Sequence, residues 1–342
     1  MADKIQFRRD TAANWAAANP VLAQGEMGVV TDTGLYKIGN GVNNWNTLSA
    51  ATLTGTATAL DMNATTDPGP APSGHMTLYA KAISGRVLPK IVGPSGLDTA
   101  LQPFMARNKI GIWIPPGNAA TLPGVTGYTA PTAVGTATSR VITTTNMFTR
   151  MRRLGYVSAA TAGSLVSLRV AAAQVTTGAD TLGGFHKIMR FGISDAVVPS
   201  DARMFVGMAA STSAPTNVEP STLTNVIGVG HGAADTTLSI YYGGSVKQTP
   251  INLGSNFPVK TSNTDVYELS LFSPPSGGGE VYYEVSRLNT GHKASGMLSS
   301  NGGVALPGST TLLTYLWAYR TNNTTAAAVG LDIMGDYIET DY

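Results

Sequence analysis

The sequence predicts an all-β protein: a small N-terminal strand–helix–hairpin segment followed by a large β-sandwich, jelly-roll-like or lectin-like in type. Three observations predict it. Charged residues form only 12% of the 342 residues, against about 25% in an average soluble domain; Thr, Ser, Asn, Ala and Gly take their place. The chain holds 39 Gly and 19 Pro, which punctuate it with turns. Between the turns lie short runs rich in Thr, Val and Tyr, whose branched or aromatic side chains suit a pleated surface. The low charge also implies a surface partly covered by other chains.

The elements follow in order. Ile5 and Phe7 alternate with Gln6 and Arg8, the period of a half-buried strand. Asp10 or Thr11 is placed to cap a helix through Ala12, Ala13, Trp15 and Ala16, and Pro20 ends it by pushing Asn19 out of the α region. Met27–Thr31 and Leu35–Ile38 read as strands joined by Asp32-Thr-Gly34, where Gly supplies a positive φ. Gly39-Asn-Gly41 turns the chain again and presents Trp45. The bulky apolar residues here, Phe7, Trp15, Leu22, Leu35, Tyr36 and Trp45 among them, are few. A segment below about 40–60 residues needs disulfides, a metal or oligomerisation to stand. With zero Cys and no metal-ligand cluster in the sequence, oligomerisation remains.

Three regions are expected. Residues 1–50 form the N-terminal oligomerising segment. Residues 51–96 are a Pro/Gly/Thr-rich spacer, stiffened by Asp67-Pro-Gly-Pro-Ala-Pro-Ser-Gly74, with a small strand pair or inter-subunit arm within Met76 to Pro89. Residues 97–342 form the sandwich, with strands at Lys109–Ile114, Arg140–Thr145, Met147–Arg152, Phe185–Ile193, Arg203–Ala209, Leu238–Tyr242, Val266–Phe272, Val281–Leu288, Leu312–Tyr319 and Val329–Ile338. Signals such as Pro115-Pro-Gly117, Gly243-Gly244 and Asn301-Gly-Gly303 separate them. Two short helical turns are expected at Leu97–Phe104 and Pro220–Asn225.

Composition also bounds function. A net charge of +2 lacks the basic bias that phosphate-backbone binding needs, and Arg150-Met-Arg-Arg153 reads as a strand edge, so no nucleic-acid partner is expected. Absence of Cys removes thiolate nucleophiles and Cys-based zinc sites. The polar start has no apolar h-region, and no run approaches the roughly 18 residues of a membrane span. The expectation is synthesis in a cytoplasm without membrane insertion.

There is no Gly-x-Ser-x-Gly elbow, P-loop or His-Glu-x-x-His. Gly228-Val-Gly-His-Gly232 reads as a turn, and His75, His186, His231 and His292 are scattered singly. Asp332, Asp336, Glu339 and Asp341 crowd the acidic tail, whose readings are a solvated strand face with a bulge at Gly335, a Ca²⁺ site or a glycosidase pair. Aromatic rings that stack on sugars or anchor interfaces are sought among Trp113, Tyr128, Tyr156, Tyr241, Tyr242, Trp317 and Tyr319. Alternation puts Trp317 and Tyr319 on one face and Tyr241 and Tyr242 on opposite faces. Tyr128, Tyr241, Tyr242 and Trp317 are the expected contacts of such a binding site. No catalytic residue, metal or cofactor is predicted.

Phe7-Arg-Arg-Asp10, Asn14-Trp15, Asn19-Pro-Val-Leu22, Gly25-Glu-Met-Gly28, Asp32-Thr33, Leu35-Tyr-Lys-Ile-Gly-Asn-Gly41 and Asn44-Trp-Asn-Thr-Leu48 together resemble a motif near the N-termini of tailed-bacteriophage virion proteins, among them tail fibres and the major tropism determinant. The resemblance implies a homotrimer, with this segment packed around a threefold axis and docked to other virion proteins of tail or capsid. Mapped residue by residue, it assigns attachment and trimerisation to Phe7, Arg8, Arg9, Trp15, Leu22, Gly25, Glu26, Gly28, Lys37, Gly39, Gly41 and Trp45. Residues 93–342 look like a C-terminal module of phage fibre-type proteins that carries no assigned chemistry. The expectation is a non-enzymatic, trimeric tail fibre or receptor-binding protein on the virion, adsorbing to host surface glycan or protein. The alternatives are a capsid-decorating head fibre or tail accessory protein, and a polysaccharide depolymerase.

Overall fold

The computed structural model describes residues 7–52, 61–92, 98–100, 109–113, 131–180, 182–275 and 277–341. The chain divides into two compact units, 1–63 and 64–342.

The first unit begins with β1 (Arg8–Asp10) and α1 (Ala12–Ala18), followed by β2 (Met27–Val30), β3 (Leu35–Ile38) and β4 (Ala50–Thr52). Thr11 caps α1 by accepting the Asn14 N–H, and Asn19 ends it in the left-handed region at φ 38°. β1 runs parallel to β2, and β2–β3–β4 are antiparallel. The β2–β3 turn uses Gly34 at φ 69°, as its position in the hairpin requires.

The second unit opens with β5 (Thr77–Ile83), β6 (Arg86–Val92), β7 (Asp98–Ala100), β8 (Lys109–Trp113), β9 (Pro131–Val134) and β10 (Thr136–Thr138). A short helix α2 (Met147–Arg150) precedes β11 (Leu154–Val157), β12 (Leu165–Val170), β13 (Gly183–Ile193) and β14 (Arg203–Ala209). The remaining strands are β15 (Val226–His231), β16 (Ser239–Gly243), β17 (Ile251–Asn252), β18 (Tyr267–Ser273), β19 (Val281–Arg287), β20 (His292–Leu298), β21 (Thr314–Thr321) and β22 (Gly330–Asp341). They build a sandwich. One sheet runs β10-β11-β22-β13-β18-β19-β20, with β8 on the far half of β22; the other runs β17-β16-β15-β14-β21-β12-β9. β5-β6-β7 form a separate three-stranded sheet.

The main core lies between the two large sheets. Phe185, Met189, Phe191, Leu269 and Ile338 of one interdigitate with Val206, Ile227, Ile240 and Ala318 of the other, all essentially without solvent contact. A second cluster, Phe205, Tyr241, Trp317 and Tyr319, sits on the outer face of the seven-stranded sheet, against Val218 and Leu223. A third, Phe148, Val266 and Met334, is packed against Met151 of the α2 segment.

Several expectations are corrected. Met147–Arg152 is not a strand: Asn146 and Thr149 exchange hydrogen bonds in a capping box that starts α2, a local gain that outweighs the alternating pattern. Arg140–Thr145 is irregular, because Arg140 is drawn to Asp332 at 2.7 Å. Arg153 is buried against the same carboxylate at 3.1 Å, so the basic run is not a strand edge. Gly228–Gly232 is not a turn: most of it is strand β15. There Gly228 faces Gly207 in register, and a Cβ on it would lie 2.7 Å from the Phe205 ring. Of the helical turn expected at Leu97–Phe104, Asp98–Ala100 is strand β7, and the rest lies outside the described residues. Strands β9, β10, β11, β12, β15, β17 and β20 were not anticipated.

Candidate functional site

The residues of the N-terminal motif make one small fold. Trp15 and Trp45 stack with ring centroids 4.0 Å apart, and Leu22 and Val30 complete their buried cluster. The helix supplies Trp15, whose Nε1 donates to the Val29 carbonyl at 2.9 Å. Gly28 lies under this pair: a Cβ there would come within 2.6 Å of the Trp45 ring. Gly39 is pressed against Leu22 in the same way. Gly25 and Gly41 occupy positive φ, 82° and 74°. Lys37 donates to the Trp45 carbonyl at 2.8 Å, with its ammonium 5.0 Å from the ring centroid. Glu26 accepts from the Ala23 N–H at 2.8 Å and faces Arg8 at 3.4 Å.

Of the residues assigned to attachment, Phe7, Arg8, Arg9, Gly25 and Gly41 are exposed, and the rest are buried or half-buried internal architecture. A pocket of about 410 Å³ opens on the same unit, lined among others by Tyr36, Ile38, Asn43 and Leu48. Sequence reasoning missed Asp32 and Asn19. Asp32 accepts the Ala12 N–H at 3.0 Å, and the Asn19 side chain accepts the Asn46 N–H at 2.9 Å. Asx side chains beside a helix end were the available signal.

The expected receptor aromatics in the sandwich do not form a surface. Trp317 and Tyr241 lie in the covered outer cluster, 5% and 3% exposed. Trp317 Nε1 donates to the Ser213 carbonyl at 3.0 Å, and the Tyr241 hydroxyl donates to Asp235 at 2.5 Å. The connection between β14 and β15 carries Ser213, Val218 and Leu223 over their rings, which is why strand alternation alone misplaced them in solvent. Tyr242, on the opposite face, is half-buried against the main core. Tyr128 lies outside the described residues.

Other outward-facing aromatics lie on the opposite sheet. Phe272, Tyr282 and Tyr337, all half-buried, lie on its outer face beside the β5–β6 hairpin. From that hairpin Arg86 grips Glu339 with two bonds, 2.5 and 2.9 Å, and its guanidinium lies 5.7 Å from the centre of the Phe272 ring. Arg86 also donates to His186 Nδ1 at 3.3 Å, which leaves Nε2 to donate to Ser270 at 3.2 Å. Burial, reinforced by Arg86, pushes the imidazole down to about 3, so it is neutral. A pocket of about 120 Å³ beside Arg86, His186, Phe272 and Pro275 is smaller than the roughly 300–1,000 Å³ of typical ligand sites.

The acidic strand is not a solvated face. Asp332 is held by Arg140, Arg153 and Ser194, Asp336 by Lys187, and Glu339 by Arg86. β22 is sheet-interior, with β13 on one side and β11 or β8 on the other. The bulge is real, with Met334 as the extra residue between the Arg190↔Gly335 and Phe191↔Ile333 pairs. Among the described residues no group of three or more His, Asp or Glu could hold a metal ion. No helix among them is long and apolar enough to cross a membrane.

Residues 5–43 match the family described as the major tropism determinant N-terminal domain. This places the N-terminal segment with a domain found in bacteriophage proteins. A hyaluronoglucosaminidase of Streptococcus pyogenes phage H4489A is 41% identical over 49 residues, 14% of this chain and 13% of that protein. The chain thus spans a small fraction of that relative. Among solved structures, arcelin-5, a lectin-like defence protein from Phaseolus vulgaris, aligns with 69% of this chain and 100% of its own, at 10% identity and a TM-score of 0.43. Peanut lectin aligns with 69% of this chain and 98% of its own, at 12% identity and 0.44. A carbohydrate esterase from the Shiga toxin-encoding bacteriophage phi24B aligns at 13% identity and 0.34, covering 62% of this chain and 90% of its own.

Proposed function

We propose that the protein is a bacteriophage virion component, a homotrimeric fibre or receptor-binding protein. Its N-terminal unit attaches it to the particle, and its sandwich adsorbs to host surface glycan or protein without cleaving it. The observation that carries this reading is the match of residues 5–43 to a phage N-terminal domain, whose matched residues here build a self-consistent small fold. The exposed Phe7, Val21, Ile38 and Val42 supply apolar surface for neighbouring copies. On the sandwich, the aromatic face of Phe272, Tyr282 and Tyr337 is the surface that stacking on a sugar would use. The non-enzymatic reading is supported by the acidic strand, since Asp332, Asp336 and Glu339 are each committed to a cation. Three copies on one rigid trimer would raise avidity by about 10²–10⁴.

The test takes intact virions and the purified chain. Antibody labelling under the electron microscope should place the protein on the particle. Light scattering should give the trimer mass, and labelled protein should adsorb to host cells with no new reducing ends from envelope polysaccharide. Released oligosaccharide would replace the adsorption reading with the depolymerase. Labelled virions without adsorption would leave the decorating protein.

A further inference from the structure

Lys187 and Asp336 stand apart from every other ion pair of the sandwich. Both face the space between the two large sheets, Lys187 among Phe185, Met189 and Ile338 of the main core. Their side chains are 0% and 5% exposed. Lys187 is the only buried lysine among the described residues, and its ammonium position is 5.3 Å from the centre of the Tyr315 ring on the facing sheet. The other deeply buried carboxylates are ligated several times over: Asp195 by Arg320 and the Gly330 N–H, Asp332 by two arginines and Ser194. Asp336 has a single side-chain partner, Lys187, beside the Tyr337 backbone N–H, and its Oδ2 accepts no hydrogen bond among the described residues.

The backbone aims them at each other. β13 and β22 are neighbours, with Lys187 opposite Ile338 and Met189 opposite Asp336. Lys187 and Asp336 are thus diagonal on one face. Residues 332 and 334 point to the outer face, as Asp332 and Met334 do through Arg140 and Phe148. Simple alternation would send 336 outward too. The bulge at Met334 adds one residue and turns Asp336 inward, the re-aiming of a side chain that bulges provide.

We propose that Lys187 and Asp336 are joined by an intramolecular amide, an isopeptide bond formed after folding. The Lys187 Nζ lone pair attacks Asp336 Cγ, the C–N bond forms, a proton passes from nitrogen to the departing hydroxyl, and the C–O bond breaks to release water. Ammonium plus carboxylate becomes amide plus water, with no change of oxidation state and no co-reactant. The site favours this in two ways. Two fixed strands hold the groups in contact, the arrangement in which intramolecular reactions reach effective molarities of about 10⁵–10⁸ M. Burial in the apolar core moves the amine down and the carboxyl up, toward the neutral pair that condenses, and a dry core opposes the return of water. The product is an uncharged, core-compatible link between strands 149 residues apart in sequence.

The experiment is denaturing mass spectrometry of the full chain with peptide mapping. The expected result is a mass lower than the sequence by one water and a branched peptide joining the Lys187 and Asp336 segments. Lys187→Arg keeps a cation but no condensing amine and should show its full sequence mass. Asp336→Asn should form the same amide with loss of ammonia and finish at the mass of the linked parent. A parent chain at full sequence mass overturns the proposal, as does a water loss that maps to a linear peptide. These outcomes are independent of adsorption, since a virion protein with or without the link reads the same in that assay.

Discussion

The two units solve the same problem with different means. Among the described residues of unit 1–63, the buried apolar cluster is four side chains, two of them a stacked tryptophan pair, and its glycines let strands and rings approach closely. The sandwich buries dozens of apolar side chains, and that surplus lets it carry charges inside, such as Arg320 with Asp195, both wholly buried. In the small unit each contact is a large share of the total. In the large one the apolar core sustains a polar framework that fixes loops to strands.

That contrast can be broken from the small side first. Trp45→Ala removes half of the ring stack and should cost about 3–5 kcal/mol, as much as so small a core can supply. The N-terminal unit should lose its structure, read as protease cleavage confined to its residues, while the sandwich melts as before. A lowered sandwich transition would show that the units are energetically coupled.

In the sandwich, Asp195→Ala strands the Arg320 guanidinium beside His231 at 2.9 Å and should cost about 3–5 kcal/mol, seen in chemical denaturation. The unit should remain folded, because its core is large.

The boundary between the units is itself testable. Arg86 is more than spacer, because Glu339 is buried beneath it. A chain beginning at residue 64 should melt like the sandwich of the full protein. One beginning at 97 should melt lower, having lost charge-assisted hydrogen bonds worth about 1.5–3 kcal/mol each.

Acid distinguishes the units too. His186 and His231 are each held neutral, down to about 3, by burial and then by Arg86 and Arg320. Between the ordinary value of 6.5 and about 3, the unfolded chain binds protons that the native imidazoles refuse. These histidines therefore lower the sandwich's stability as pH falls through that window, each by up to about 1.4 kcal/mol per pH unit. His231→Gln should flatten the slope. An unchanged slope would remove His231 from the account.

The smallest effect is local. Thr11→Ala deletes the α1 cap at 3.3 Å and should weaken the N-terminal unit by about 1 kcal/mol, visible as faster hydrogen exchange in α1 alone.

What the sequence disclosed divides along physical lines. Alternation located strands Arg203–Ala209 and Phe185–Ile193 because packing on a pleated face needs period two. Glycine and asparagine marked the turns of residues 25–41, where positive φ leaves little choice of residue. Alternation could not reveal whether a face is covered. Trp317 and Tyr241 were placed on the correct faces, yet the β14–β15 connection, whose Ser213 lies 104 residues from Trp317 in sequence, roofs them over. The acidic strand was misread for the same reason. Its cations, Arg86, Arg140 and Lys187, are distant in sequence, and no local pattern links them to Asp332, Asp336 and Glu339. The Phe272–Tyr282–Tyr337 face escaped attention because its rings lie on three strands that only the sheet order brings together.

The place of β22 sets a timetable for assembly. It fills the interior of its sheet, yet its partner β13 is made some 150 residues earlier, as the Lys187–Asp336 separation of 149 records. Closing so large a loop delays pairing, because the chain entropy is lost before the contact is gained. Until β22 arrives, β13, β11 and β8 all present unpaired edges. That interval is when copies of this chain are most open to pairing with one another in error, and its length sets how much of the synthesised protein reaches the native sandwich.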